Sequence, residues 1–120
     1  MTDISSPTDP EDVKIITLAK ATLARTNARE GACVRDTDGR TYAAASVSLP
    51  HLDLSAIALA VAMAVSSGAE GLEAVALCAE HEPRDSDVEI VRDLPGKGVA
   101  IWFADPTGAG QGRLDVDDLN

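Results

Sequence analysis

The chain has 120 residues, 45% of them apolar and 2% aromatic, with ten basic and twenty acidic side chains and a formal net charge of −10. That length suits a single domain, and an ordinary apolar fraction excludes global disorder. A pI near 4.4 excludes binding of nucleic acid or an anionic membrane through a basic face, and three aromatics (Tyr42, Trp102, Phe103) do not make a base-stacking platform.

Residues 1–8 read as a flexible polar tail, with residues 9–120 as the domain. Asp9 is a helix cap, Pro10 suits a first turn, and Glu11 and Asp12 suit the positive end of the helix. Val13, Ile16 and Leu23 then mark an amphipathic helical face up to about Thr26. Ala32 to Arg35 reads as a strand, Asp36-Thr37-Asp38-Gly39 as a hairpin turn and Thr41 to Val47 as the returning strand, ended by Pro50. From Leu54 to Ser67 the apolar residues alternate with small ones and no charge intervenes. A helix apolar all round must be buried on every side, so part of this one is expected to face another subunit. Gly68 stops it. Leu72 to Ala79 reads as a buried strand, Pro83 to Leu94 as a polar helix closed by Pro95-Gly96, and Val99 to Ala104 as another buried strand. Asp105-Pro106-Thr107-Gly108 turns, and Leu114 to Leu119 reads as the start of a last helix. This order predicts a three-layer α/β/α sandwich on a mixed sheet, with an antiparallel first hairpin, later crossovers favouring parallel strands, and a central buried helix.

Cys33 and Cys78 lie inside apolar runs, the pattern of buried thiols in a reducing compartment. The segment MTDISSPTDPED has neither the basic nor the apolar region of a signal peptide, and Leu54–Ala69 is shorter than the roughly 20 apolar residues that span a bilayer. The expectation is a cytoplasmic protein that meets neither membrane nor nucleic acid.

Several strings imitate chemical motifs. Gly108-Ala109-Gly110-Gln111-Gly112 places its third glycine one position early for a dinucleotide loop, and too little chain follows it for a βαβ unit. Asp36-x-Asp38-Gly39, counted as a calcium loop, would end at Val47 rather than a glutamate. Cys78-x-x-His81 has metal-like spacing without the further ligands zinc needs. Ser46, Ser48, His51, Asp53 and Ser55 supply the residue types of a hydrolase triad. Triads are defined by geometry, however, and a polar loop with Asp53 as a helix cap explains the cluster.

Across residues 12–119 the chain resembles the cytidine deaminase family, including its blasticidin-S-deaminase-like members. Glu30-Gly31-Ala32-Cys33-Val34 with Asp38-Gly39-Arg40-Thr41-Tyr42 is similar to that family's VGAAL…DGR-F hairpin. Ala60-Val61-Ala62-Met63-Ala64-Val65-Ser66-Ser67-Gly68 resembles its central helix, Leu72–Cys78 the strand that follows, and Leu114–Leu119 the start of its C-terminal helix. The resemblance implies zinc held by a Cys-Ala-Glu or His-Ala-Glu triplet and a Pro-Cys-x-x-Cys string, with the glutamate carrying protons. At these positions the chain has Ser55-Ala56-Ile57 and Pro83-Arg84-Asp85-Ser86-Asp87, and the ribose-holding Asn-x-Glu reads Ser46-Val47-Ser48. A serine hydroxyl is a poor zinc ligand, arginine stays protonated, and isoleucine carries no proton. Cys78-Ala79-Glu80 spells the first motif at the end of a strand, with Pro83 preventing a long helix directly after it.

The sequence therefore reads as a non-catalytic cytidine deaminase-like protein without zinc or another cofactor. The expected role is an oligomeric interaction or scaffold protein, a dimer or tetramer through the helix around Leu54–Ser67. Ser46, Ser48, His51, Asp53, Ser55, Ile57, Arg84 and Asp87 mark a vestigial pocket, with no catalytic or metal-ligating residue among them. In it, Arg84 is expected to put a cation near the vacated metal position, paired with Asp87 or Asp53. The alternatives are a module binding a nucleoside-like small molecule, and a residual deaminase or other hydrolase.

Overall fold

The structure is a computed structural model that describes residues 2–3, 7–96, 98–108 and 112–116. The described residues form eight strands and three helices in the order β1 (Thr2–Asp3), α1 (Pro10–Thr26), β2 (Gly31–Asp36), β3 (Thr41–Ala45), β4 (Val47–Leu49), β5 (Leu52–Leu54), α2 (Ala56–Ser66), β6 (Leu72–Cys78), α3 (Asp85–Arg92), β7 (Ala100–Ala104) and β8 (Gly112–Asp115). Six strands form one mixed sheet in the order β1-β8-β7-β6-β2-β3, and β4 pairs with β5 in a separate ribbon.

Among the described residues only β6 and β7 pair in parallel, across the connection that contains α3. Alternation along the strands sends Ala32, Val34, Val75, Leu77 and Ile101 to the side of α2 and α3. Cys33, Ala74, Ala76 and Cys78 go to the other side, against Ile15, Ala19 and Leu23 of α1. This is the expected three-layer sandwich. The central strands β2 and β6 read as nearly continuous apolar runs because both of their faces are covered.

Local chemistry explains the first elements. Asp9 caps α1 by accepting Glu11 N–H at 2.9 Å, and Asn27 closes it in the left-handed region at φ 55°. The buried stripe of α1 is Ile15, Ala19, Thr22 and Leu23. The expected face on Val13 and Ile16 is therefore rotated, with Val13 exposed. At the start of β2, a Cβ on Gly31 would overlap the Ala19 carbonyl and stand 2.9 Å from Leu23 Cβ, so glycine lets the strand approach α1. The Asp36–Gly39 turn is built as expected: Asp36 accepts the amides of Asp38 and Arg40 and the Tyr42 hydroxyl. These are the bonds of an Asx turn, which accounts for the calcium-like spacing.

Three expectations change. The strand from Thr41 stops at Ala45, and residues 47–54 form the β4–β5 ribbon rather than a loop, with Val47 opposite Leu54 and Leu49 opposite Leu52. The central helix starts two residues later than expected, since Ser55 rather than Asp53 caps it by accepting Ala58 N–H at 3.0 Å. Its outer side, the part expected to face another subunit, leaves Met63 and Val65 37% and 51% exposed in the single chain. Finally, Leu114 and Asp115 lie in β8, antiparallel to β7, where a C-terminal helix was expected. The edge of β7 otherwise leaves unpaired backbone groups, and β8 satisfies them. Residues 117–120, the rest of the expected helix, lie outside the described residues, as do 109–111 of the glycine-rich string. Within the expected flexible tail, Thr2 and Asp3 pair with Leu114 and Arg113.

Candidate functional site

At the end of the sheet where α2 begins, four elements converge on one buried carboxylate. Glu30 immediately precedes β2 and is 3% exposed. Its Oε1 accepts the backbone N–H of Ala56, the first residue of α2, at 3.0 Å. Its Oε2 accepts Arg84 Nη1 at 2.7 Å and stands 2.7 Å from His81 Nε2. Its own backbone N–H donates to Ser46 Oγ, and its carbonyl accepts Ser46 N–H. Burial pushes the Glu30 carboxyl up. The Ala56 amide, the Arg84 guanidinium and His81 outweigh it and hold the group below its ordinary value.

Beside this clasp, the Ser55 hydroxyl donates to Asp87 Oδ1 at 2.6 Å while its oxygen caps α2. Asp87 is buried, and its Oδ2 faces Arg84 Nη1 at 3.7 Å. Serine, aspartate, arginine and glutamate thus form one connected polar network, in which the arginine lies between two buried carboxylates. Removal of any member would leave another buried polar group without its partner.

A cleft of about 630 Å³ opens onto the network, lined among others by Asn27, Arg29, Ser46, Ser48, Asp53, Ser55 and Arg84. A second cleft of about 620 Å³ adjoins it, sharing Asn27, Ala28, Arg29 and Arg84 and adding Glu80 and His81. Five of the eight expected pocket residues therefore meet at one cleft, and Asp87 lies in contact with two of them. Ile57 is buried in the core. His51 is exposed at the turn of the β4–β5 ribbon and is not among the lining residues, so no serine–histidine–aspartate constellation forms from the 46–55 cluster. Arg84 does pair with Asp87, but its shortest ion pair is with Glu30, and Asp53 is exposed at the cleft.

The sequence reading missed Glu30 and His81 as site residues. Glu30 carried one signal, an acidic residue placed directly before the apolar run Gly31–Val34. His81 was considered only in the Cys78-x-x-His81 spacing, and its ring instead turns to Glu30 and to the Glu82 carbonyl. Cys33 and Cys78 both lie on the α1 side of the sheet. Burial pushes the Cys33 thiol up to about 11 and raises that of Cys78, so neither offers a thiolate at neutral pH.

The three-layer sandwich thus carries a connected polar cluster at the N-terminus of its central helix. The cytidine deaminase-like family model matches residues 8–108, and the chain belongs to that family. It is similar in structure to cytidine deaminase from Burkholderia pseudomallei, with a TM-score of 0.77, 18% identity, and 89% of this chain and 94% of that one covered. Cytidine deaminase from Mycobacterium leprae gives 0.69, 18%, 92% and 98%. That from Mycobacterium tuberculosis gives 0.70, 19%, 92% and 94%. At these identities the likeness is one of fold. Comparison with curated proteins gave no significant match.

The fold implies zinc, and the residues at the site do not fit it. The positions the resemblance assigns to ligands hold a hydroxyl, a guanidinium and one carboxylate, the first and last already bonded to each other. Arg84 places a permanent positive charge within 2.7 Å of Glu30 and 3.7 Å of Asp87, the groups that would otherwise attract a cation. Among the described residues no group of three or more His, Cys, Asp or Glu side chains is disposed to hold a metal ion. Nor is any described helix long and apolar enough to cross a membrane.

Proposed function

We propose that this chain is a non-catalytic member of the cytidine deaminase-like family that acts as a self-associating interaction protein. The observation that supports this reading is the side-chain network Ser55–Asp87–Arg84–Glu30, whose first three members stand where the resemblance puts the zinc ligands. Hydrolytic attack on a cytosine ring at neutral pH needs an activated hydroxide and a group that carries protons. Arg84 and Ser55 supply neither, and Ile57 stands where the proton-carrying glutamate would be. Protein purified in the presence of zinc is expected to hold far less than one equivalent by elemental analysis and to leave cytidine unconverted. Stoichiometric zinc with cytidine turnover would overturn the reading.

Self-association is supported by the outer face of α2. Met63 and Val65 are exposed on a helix without charge, in a chain whose net charge of −10 repels a second copy elsewhere. Light scattering is expected to give a dimer or tetramer at micromolar concentration, and Val65→Asp is expected to shift it toward monomer. A wild-type monomer at that concentration would sink this part of the reading. A second reading, a module for a nucleoside-like ligand, draws on the 630 Å³ cleft, which falls within the size range of small-molecule sites. Cytidine retained unconverted in equilibrium dialysis of the same preparation would favour it.

A further inference from the structure

We propose that His81 and Arg84 compete for the buried carboxylate of Glu30, so that the protonation of His81 decides whether the Arg84 guanidinium is held in the clasp or released into the adjoining clefts. The argument starts from the two ring nitrogens. His81 Nδ1 lies 2.8 Å from the Glu82 carbonyl oxygen, which only accepts, so Nδ1 carries a proton in either charge state. The variable is Nε2. It stands 2.7 Å from Glu30 Oε2 and 3.1 Å from Arg84 Nη2, between an acceptor and a donor.

Neither state satisfies both contacts. With Nε2 protonated, the imidazolium donates to Glu30, but its N–H then opposes the Arg84 N–H across 3.1 Å. With Nε2 bare, it accepts from Arg84, but its lone pair then opposes the carboxylate oxygen across 2.7 Å. With the proton on, Glu30 Oε2 holds both cations at 2.7 Å, and their repulsion across 3.1 Å is what gain or loss of the proton switches on and off. Glu30 is the fixed one: its side chain is 4% exposed and its other oxygen is tied to Ala56 N–H. The side chains of His81 and Arg84 are 38% and 52% exposed, and these yield. Protonation keeps His81 on Glu30 and sends Arg84 outward. Deprotonation closes Arg84 on Glu30 and loosens His81.

The charged surroundings are mixed. Glu30, just before β2, and Glu80, just after β6, bring negative charge to His81. Arg84, and Arg29 from the segment after α1, bring positive charge. Asp87 on α3 faces Arg84, and Asp53 lies across the first cleft. Arg84 lines both clefts, so its release changes the charge presented to anything that enters them.

Nuclear magnetic resonance on the intact wild-type protein tests this between about pH 5 and 8, the range in which histidines change charge. The Arg84 Nε resonance is expected to follow a sigmoid with the midpoint of the His81 ring nitrogens, and the Arg84–Glu30 proton contact is expected to be lost on the acid side. His51, at the ribbon turn, serves as the internal reference. In His81→Gln, a change at a partly exposed position, the Arg84 resonance is expected to stay flat. An Arg84–Glu30 contact that persists through the His81 transition would overturn the proposal, as would a sigmoid that survives in His81→Gln.

Discussion

Replacing Glu30 with alanine is expected to cost about 3 kcal/mol of folding stability at neutral pH, the scale on which loss of one partner breaks a buried ion pair. The side chain joins the start of β2 to two segments far from it in sequence: the start of α2 through Ala56, and the connection between β6 and α3 through His81 and Arg84. Alanine leaves the Ala56 N–H buried without an acceptor, which alone costs about 1–3 kcal/mol. It also leaves Arg84 facing Asp87 alone. Glu30→Gln keeps an acceptor for Ala56 and is expected to cost less.

The pH dependence follows from the sign of the shift. The Glu30 carboxyl lies below its ordinary value of 4.5 in the folded state, so its contribution is fully present above that value and is lost as pH falls through the folded one. The stability difference between wild type and Glu30→Gln, measured by urea unfolding, is expected to be largest at neutral pH and to shrink under acid conditions. A difference that stays constant on acidification would contradict the assignment of Glu30 as the charged centre of the network.

The triple substitution Ser55→Cys, Arg84→Cys, Asp87→Cys is expected to take up about one zinc per chain, where the wild-type protein takes up little. Thiolates at the positions that the family resemblance assigns to ligands would supply the donor set that structural and catalytic zinc sites use. Removal of Arg84 would also withdraw the cation that now answers the two buried carboxylates. Elemental analysis and a chromophoric zinc-release assay measure the gain, with Arg84→Ala as the control that removes the guanidinium without adding a thiolate. Zinc uptake by Arg84→Ala alone would show that the guanidinium is the only obstacle. No uptake by a folded triple variant would mean that the backbone at this site has diverged along with its side chains. Deamination is not expected of this variant, because the resemblance puts Ile57 where the proton carrier would be.

The fold was largely legible in the sequence because its elements are marked by local chemistry. Asp9-Pro10 opens α1, the Asp36–Gly39 turn folds β2 onto β3, and the apolar run Leu72–Cys78 is a strand covered on both faces. What failed were the places where pairing partners outweigh local pattern. Leu114–Asp115 became a strand because β7 offered a free edge. Residues 47–54 became a ribbon because Val47 and Leu49 found Leu54 and Leu52. The face of α1 turned because Gly31 lets the strand in against Ala19 and Leu23.

The candidate site divides in the same way. The amino-acid sequence by itself named the groups that the family resemblance assigns to the ligand positions, Ser55, Arg84 and Asp87, by their distance along the chain from Gly68 and Pro83. Only the tertiary structure decided what those groups bind. Glu30 lies 54 residues from Arg84 along the chain, and nothing local marks it as Arg84's partner. The antiparallel pairing of β2 with β6 brings the segment after β6 back to the start of β2. A buried carboxylate there must find donors, and the three it finds come from α2, His81 and Arg84.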